Sequence, residues 1–348
     1  MKDWTGLGLR GLPPMSARSK PAAFPPFLQP VLDAAAASTA EPLVGITTDG
    51  RARGGPFPLH ATGVSTAPIV EAAQDFLAKL DARQRVKVLF DLDADERRLW
   101  FNIHPNVFRH GLILEDLAPA QRKAALRLME TTLSARGFAQ ARDIMRINAL
   151  LIEVTGKAGD YGEWPYFVTL FGSPSADAPW GWQIDGHHLN LNFFVLGDQL
   201  VFTPSFMRSE PCRVASGPLA GTEVFAPDAL SDAQRRLLLA LLGTYVGWAR
   251  DGHAAVKLTE VAAHLDETHF AWMGATGDEG PFYYRVHSPV VLVELDHHPG
   301  IVFDNLAPSR HHVHTIIRTP NGGDYGADLL RQHHERFDHS SGRHAPRR

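Results

Sequence analysis

The stretch from Trp180 to Val195 reads WGWQIDGHHLNLNFFV, and it is here called the deciding stretch because its pattern determines which strands are expected. From position 189 onward its apolar residues stand at every second place, so they share one face of a strand. The other face carries three polar side chains, those of His188, Asn190 and Asn192. We predict one strand across 182–196. The Gly-Asp pair at 197–198 and the run at 199–206 then predict an antiparallel hairpin.

Outside this stretch, helical patterns come first and strand patterns later. Apolar residues at helical spacing predict a helix at about 69–80, and further helices are expected at 92–101, 119–137 and 139–154. Strand signals at 166–171 and within 282–319 stand on either side of two helices, at 231–248 and 259–273, and a last helix closes at 325–337. This block order predicts an α+β fold with a mainly antiparallel sheet flanked by helices.

The chain is expected to form one domain with two irregular ends. Residues 1–65 are rich in Gly, Pro and Ala and show no sustained period, which predicts an extended N-terminal arm. A single α+β domain follows at 66–339, and the polar residues 340–348 are expected to be a disordered tail.

The composition argues against several classes of protein. A hydrophobic content of 44% and a charged content of 21% are globular values. A net charge of −4 without a basic stripe argues against a nucleic-acid partner, and no apolar run approaches a membrane span. The single cysteine excludes an internal disulfide and a four-cysteine zinc site. Because no continuous apolar leader is found, the cytoplasm is the predicted location.

Eighteen histidines are the unusual feature, and several stand in pairs. His312 and His314 lie two apart in a predicted strand, so both imidazoles point to one side, where a single ion can take both. Arg318 shares that face and is predicted to hold an anionic group of the substrate. In a chain so rich in histidine, a chance spacing is the alternative.

The polar face of the first stretch supplies a second group. Asn is a poor strand former, so the row of His188, Asn190 and Asn192 fits a polar cleft better than plain solvent cover, which is the alternative. His187 is expected on the leucine face unless a bulge precedes it. We predict His187 and His188 as metal ligands, the two asparagines as substrate- or water-orienting groups, and Trp182 as a pocket wall.

A third group ends the apolar strand before a Pro-Gly turn at 299–300. His297 is the predicted ligand there, in preference to His298, and a structural role is the alternative. Three neutral imidazoles around a divalent ion leave a position for water, whose pKa the ion lowers toward about 7. Asp185 or Glu294 would then act as a general base or orient a ligand.

These groups together predict a metal-dependent enzyme acting on a small molecule. Zinc-based hydrolysis is placed ahead of oxygen chemistry at non-haem iron or copper. The predicted metal ligands are His187, His188, His297, His312 and His314. Two alternatives stay open: a metal-free enzyme in which His188 and Asp185 do acid–base work, and a non-catalytic ligand-binding protein. Neither the substrate nor the oligomeric state is predicted.

Five stretches of the chain are similar to a known family. They are 133–148, 166–172, the WGW…GHHL segment within 180–192, 294–303, and 308–326 with its RTPNG. In these stretches the sequence resembles the bacterial and fungal family catalogued as domain of unknown function 3500, over about residues 70–335. The resemblance implies a carboxylate, Asp or Glu, at position 185. Because the family name assigns no reaction, the resemblance supports the predicted sites and not a substrate.

Overall fold

Strands in which apolar and polar residues alternate, as in 189–195, form one large sheet, and helices pack against it. The computed structural model describes residues 29–47, 50–51, 53–102, 107–156, 161–209, 234–277, 280–299, 306–338 and 345–346. Within these ranges, 11 strands form the main sheet and two short strands form a separate pair.

The sheet is open and almost entirely antiparallel. Its strands and the separate pair are β1 (Leu89–Phe90), β2 (Leu112–Ile113), β3 (Tyr166–Phe171), β4 (Trp180–Gly186), β5 (Leu189–Leu196), β6 (Gln199–Val201), β7 (Ser205–Ser209), β8 (His269–Gly274), β9 (Phe282–His287), β10 (Leu292–His297), β11 (Val313–Arg318), β12 (Phe337–Asp338) and β13 (Ala345–Pro346). The order is β1-β3-β4-β5-β7-β11-β10-β9-β8, with β2 beside β3 and β6 beside β5. The β1–β3 pair is parallel, and the remaining pairs among the described strands are antiparallel. The predicted α+β class is confirmed.

Eight described helices accompany the sheet, and all but the first share one hydrophobic core with its apolar face. They are α1 (Gln29–Ala40), α2 (Ala67–Ala78), α3 (Ala82–Val88), α4 (Pro119–Thr132), α5 (Ala135–Thr155), α6 (Gln234–Val246), α7 (Asp251–Ala263) and α8 (Ala327–Arg336). Leu189, Leu191 and Phe193 of β5 lie in this core with Ile69 of α2 and Leu128 of α4. Burial of this face sets the strand register, because a slip of one residue would turn polar side chains into the core.

The deciding stretch forms two strands and not one. The predicted continuous strand across 182–196 is wrong, because His187 and His188 make a two-residue turn between β4 and β5. The predicted hairpin at 197–198 is confirmed, since Leu196 pairs with Gln199. Two consecutive hairpins therefore place the paired histidines at one end of the sheet.

Two helix predictions are wrong because contacts distant in sequence decide the structure. The helix expected at 259–273 ends at Ala263, and β8 follows. There Trp272 stacks on Phe282 of β9 with a ring-centroid distance of 4.3 Å, a cross-strand contact that favours the strand. Gly137 does not end α4 but lies inside α5, where an added Cβ would meet the carbonyl oxygen of Trp248 at 2.4 Å. Glycine is needed there for close packing.

Part of the predicted arm at 1–65 is helical. Helix α1 lies in it and buries none of its residues, because an alanine-rich run forms a helix without an apolar face. Further along, Phe57 joins the hydrophobic core. Residues 1–28 of the arm and most of the tail predicted at 340–348 lie outside the described residues. Of that tail, β13 pairs with β12.

Among the described residues, no helix combines the length and the apolar character that crossing a bilayer requires. The extent of the single domain, 66–339, stays a prediction.

Candidate metal centre

Four side chains at the ends of β10 and β11 form a group that is here called the histidine patch. Its members are Asp296, His298, His312 and His314. Asp296 faces His314 across the strand pair. The backbone N–H of His298 donates to the carbonyl oxygen of His312 (2.8 Å), which continues the pairing beyond β10. Because strand residues two apart share a face, all four side chains point to the same side of the sheet.

Three members of the patch, Asp296, His298 and His314, could hold a metal ion. One donor atom from each lies within 4.8 Å of the other two. His298 Nε2 hydrogen-bonds to one carboxylate oxygen of Asp296, and His314 Nδ1 lies 3.8 Å from the other. The rings of His298 and His314 stack with their centroids 3.6 Å apart. Since the His298 and Asp296 side chains are 38% and 34% exposed, this group is accessible from solvent.

His312 is the buried member of the patch. Its Nδ1 donates to the carbonyl oxygen of Pro299 (2.5 Å), which fixes the tautomer and leaves Nε2 as the acceptor atom of the ring. Its ring centroid lies 5.1 Å from that of His314. His312 therefore places a further imidazole directly beside the group that can bind a metal.

The turn between β4 and β5 brings two more histidines to the patch. His188 has a φ of +66°, which is strained for a residue other than glycine. Two backbone hydrogen bonds hold it there: its N–H donates to the Asn102 carbonyl (3.0 Å), and its carbonyl accepts from the Arg208 N–H (2.9 Å). Strain maintained in this way is frequent at functional sites. The His188 ring lies 6.1 Å from the His312 ring, so turn and patch form one cluster.

His187 is held in place by helix α5 and strand β3. Its Nδ1 donates to Oδ1 of Asn148 (2.7 Å), and the Tyr166 hydroxyl donates to its carbonyl oxygen (2.9 Å). Its ring stacks on that of His188 with the centroids 3.6 Å apart. The Asn148 contact again fixes the tautomer and leaves Nε2 as the acceptor.

The imidazoles of His188, His312 and His314 are kept neutral. Burial lowers the pKa of His188 well below its ordinary value, and the neighbouring His187 and Arg208 lower it further. Burial, followed by the charge of Arg208, lowers the pKa of His312 to about 2 and also lowers that of His314. Neutral imidazole is the form that binds metal ions. Arg208, buried on β7, is thus the main nearby charge that favours the ligand form of His312 and His314.

Asp185 and the two asparagines predicted for substrate binding hydrogen-bond protein atoms. Oδ1 of Asp185 accepts from the Phe101 N–H (3.3 Å) and from the Asn190 side-chain amide. The Asn192 amide donates to the Pro204 carbonyl oxygen (2.8 Å). All three predicted residues are almost fully buried. Their roles in catalysis and substrate binding stay predictions.

Asp185→Asn is expected to become more stable relative to the wild type as the pH rises. Burial raises the pKa of the Asp185 carboxyl well above its ordinary value, so the folded protein holds this proton more tightly than the unfolded chain. The wild type therefore loses stability as the pH rises above about 4, whereas Asn does not ionise. Denaturant unfolding at several pH values between 4 and 8 measures the difference. Asp177→Asn, at an exposed position, is the control. A difference that shrinks with pH would contradict the prediction.

Two charged residues predicted for the site are paired with other side chains. Glu294 accepts from the Arg285 guanidinium (2.7 Å) and from the Tyr283 hydroxyl (2.6 Å). Arg318 donates to a carboxylate oxygen of Asp324 (2.5 Å). The general-base role of Glu294 and the anion-binding role of Arg318 stay predictions.

Two further predicted residues point away from the cluster. His297 lies on the opposite face of β10, where its ring meets the Phe282 ring edge-on with the centroids 4.5 Å apart. Trp182 is 1% exposed and stacks on Phe193 in the hydrophobic core at 4.4 Å. The structure thus brings His187, His188, His312 and His314 together but leaves these two side chains outside the cluster.

The sequence predictions missed Asp296, His298 and Arg208. For the first two a signal was present, because Asp-x-His at 296–298 has the same two-residue spacing as His-x-His at 312–314. His297, which was predicted as the ligand, falls on the other face of the strand by the same alternation. Arg208 left no local signal, since its place depends on β7 pairing with β11, far away in the chain.

Comparison with protein families gives a match over most of the chain. The family model described as "Protein of unknown function (DUF3500)" matches residues 62–229 and 226–327. These ranges include the β4–β5 turn and the histidine patch, and they confirm the resemblance drawn from the sequence. Comparisons with curated proteins and with solved structures give no match.

Proposed function

We propose a function for this chain, which belongs to the family described as protein of unknown function (DUF3500), because that description assigns no reaction. The proposed function is that of a metal-dependent enzyme acting on a small molecule. The observation that carries this proposal is the group of Asp296, His298 and His314, whose donor atoms lie within 4.8 Å of one another. Three protein ligands leave positions for water or substrate, as catalytic metal sites require.

The ligand set favours non-haem iron(II). Two histidines and one carboxylate are typical of iron(II) oxygenases, although the same set holds zinc in some hydrolases. Hydrolysis at zinc commonly uses a general base near the bound water. Of the two carboxylates predicted for that task, Glu294 is paired with Arg285, and Asp185 is buried, with its Oδ1 accepting from the Phe101 N–H and the Asn190 amide. We therefore place oxygen chemistry first and zinc-based hydrolysis second.

The surrounding residues prepare the ligands for the ion. The hydrogen bond between His298 and Asp296 keeps these two donor groups together, and both would turn to a cation if one were bound. The stacked ring of His298 restricts the orientation of His314. His312, with its Nδ1 held by Pro299, can accept a hydrogen bond from a substrate through Nε2. The nature of the substrate and the cytoplasmic location stay predictions.

Metal analysis of the full chain, purified without a histidine tag or chelator, tests the proposed function. We expect about one equivalent of iron per chain after anaerobic purification, and a paramagnetic resonance signal when nitric oxide is added. One equivalent of zinc would support hydrolysis instead. A chain that binds neither iron, zinc nor copper would overturn the metal centre and favour a metal-free enzyme that uses His188 and Asp185.

A further inference from the structure

A cavity of about 430 Å³ lies at the other end of β11 from the histidine patch. Its walls come from residues 56–62, from β6 with the following Phe202, and from α7. Thr319 lines this cavity and stands five residues after His314, and five strand residues span about 16 Å. The volume suits a small organic ligand, because ligand pockets usually measure about 300–1,000 Å³.

The wall of the cavity is mainly apolar and carries no net charge. Phe57, Phe202 and Leu329 contribute apolar surface. The Lys257 ammonium donates to Glu260 (2.6 Å) and to the Val290 carbonyl oxygen (2.8 Å), so its charge is balanced within the wall. An ionic ligand would have to leave water for this apolar space without a free counter-charge, which is costly. The cavity therefore suits an uncharged molecule.

His253 is the exception among the polar side chains of the wall. The others make hydrogen bonds within the protein. His253 is 3% exposed, and its Nε2 has no hydrogen-bond partner among the described residues. Burial, together with the charge of Arg250, lowers the pKa of His253 to about 4, so the ring is neutral near pH 7. A buried polar atom without a partner costs stability, and a ligand that supplies one recovers that energy.

We infer that this cavity binds a small, uncharged, mainly apolar molecule whose hydroxyl group hydrogen-bonds to His253. A hydroxyl both donates and accepts, so it can pair with the imidazole in either tautomer. The site is separate from the histidine patch and does not depend on metal. It gives the chain a second ligand, distinct from any molecule bound at the metal.

Two probes of nearly equal shape test the inference: 2-naphthol, which carries a hydroxyl, and naphthalene, which does not. Calorimetric titration of the wild-type chain is expected to show about tenfold tighter binding of 2-naphthol, the value of one hydrogen bond. In His253→Leu this preference should disappear while naphthalene still binds. The substitution removes no hydrogen bond between His253 and the described residues, so the fold should be retained.

A second variant tests the location without altering the histidine. Val256→Trp places a large ring in the cavity wall and should abolish binding of both probes, whereas Ala255→Trp, on the exposed side of α7, should leave both unchanged. Thermal unfolding midpoints check that each variant is folded. Equal affinity of the two probes for the wild type, or binding that neither His253→Leu nor Val256→Trp affects, would overturn the inference.

Discussion

His314→Ala is expected to weaken metal binding by more than about 100-fold. Loss of an outer contact of a metal site typically costs about 10–100-fold, and this substitution removes one of the three proposed ligands themselves. The stacked partner of His298 disappears with it, so the remaining histidine also loses its fixed orientation. Competition with a coloured chelator, using the full chain and iron(II) under anaerobic conditions, measures the affinity.

His297→Ala is the matched control for this experiment. It also removes an imidazole, but from β10, the strand paired with β11. The His297 ring lies on the opposite face, where it contacts Phe282 and not the patch. Its metal affinity should equal that of the wild type. If His297→Ala loses the metal and His314→Ala retains it, the ligand group defined by Asp296, His298 and His314 is wrong.

Much of the candidate site could be predicted from spacing alone. His312 and His314 share a strand face, as their two-residue spacing predicts. The turn at His187 and His188 is not predicted in this way, because alternation indicates the face of a strand and not where the strand ends. The rings of His188 and His312, which are far apart in sequence, lie 6.1 Å apart in the structure. Such periodicity is readable because strand geometry repeats every two residues.

The remaining features depend on pairing between distant segments. The conformation of His188 is maintained by backbone hydrogen bonds to Asn102 and Arg208, neither of which is near it in sequence. Arg208 reaches the cluster because β7 lies between β5 and β11. No local pattern reports these neighbours, and the charge that Arg208 brings to the histidines could not be foreseen for the same reason.

The fold class could be predicted because the order of helices and strands, and the spacing of apolar residues within them, reflect burial. The residues at which individual helices and strands begin and end were harder to predict. The region 259–273 carries apolar residues that fit either a helix or a strand, and cross-strand stacking of Trp272 on Phe282 favours the strand at its end. Gly137 alone predicts the end of a helix, but in the structure its lack of a side chain allows close packing against Trp248 within α5. In both places tertiary contacts outweigh local preference.

Trp182→Ala is expected to lower the free energy of unfolding by about 3–5 kcal/mol and to leave metal affinity unchanged. The predicted pocket wall is a core residue, 1% exposed and stacked on Phe193, so truncation opens a cavity between sheet and helices. Denaturant unfolding measures the loss, and the chelator competition measures the metal. Met273→Ala on β8, where the side chain is 61% exposed, should change stability by less than about 0.5 kcal/mol. A Trp182→Ala protein that is as stable as the wild type but binds metal or substrate poorly would instead place Trp182 at the site.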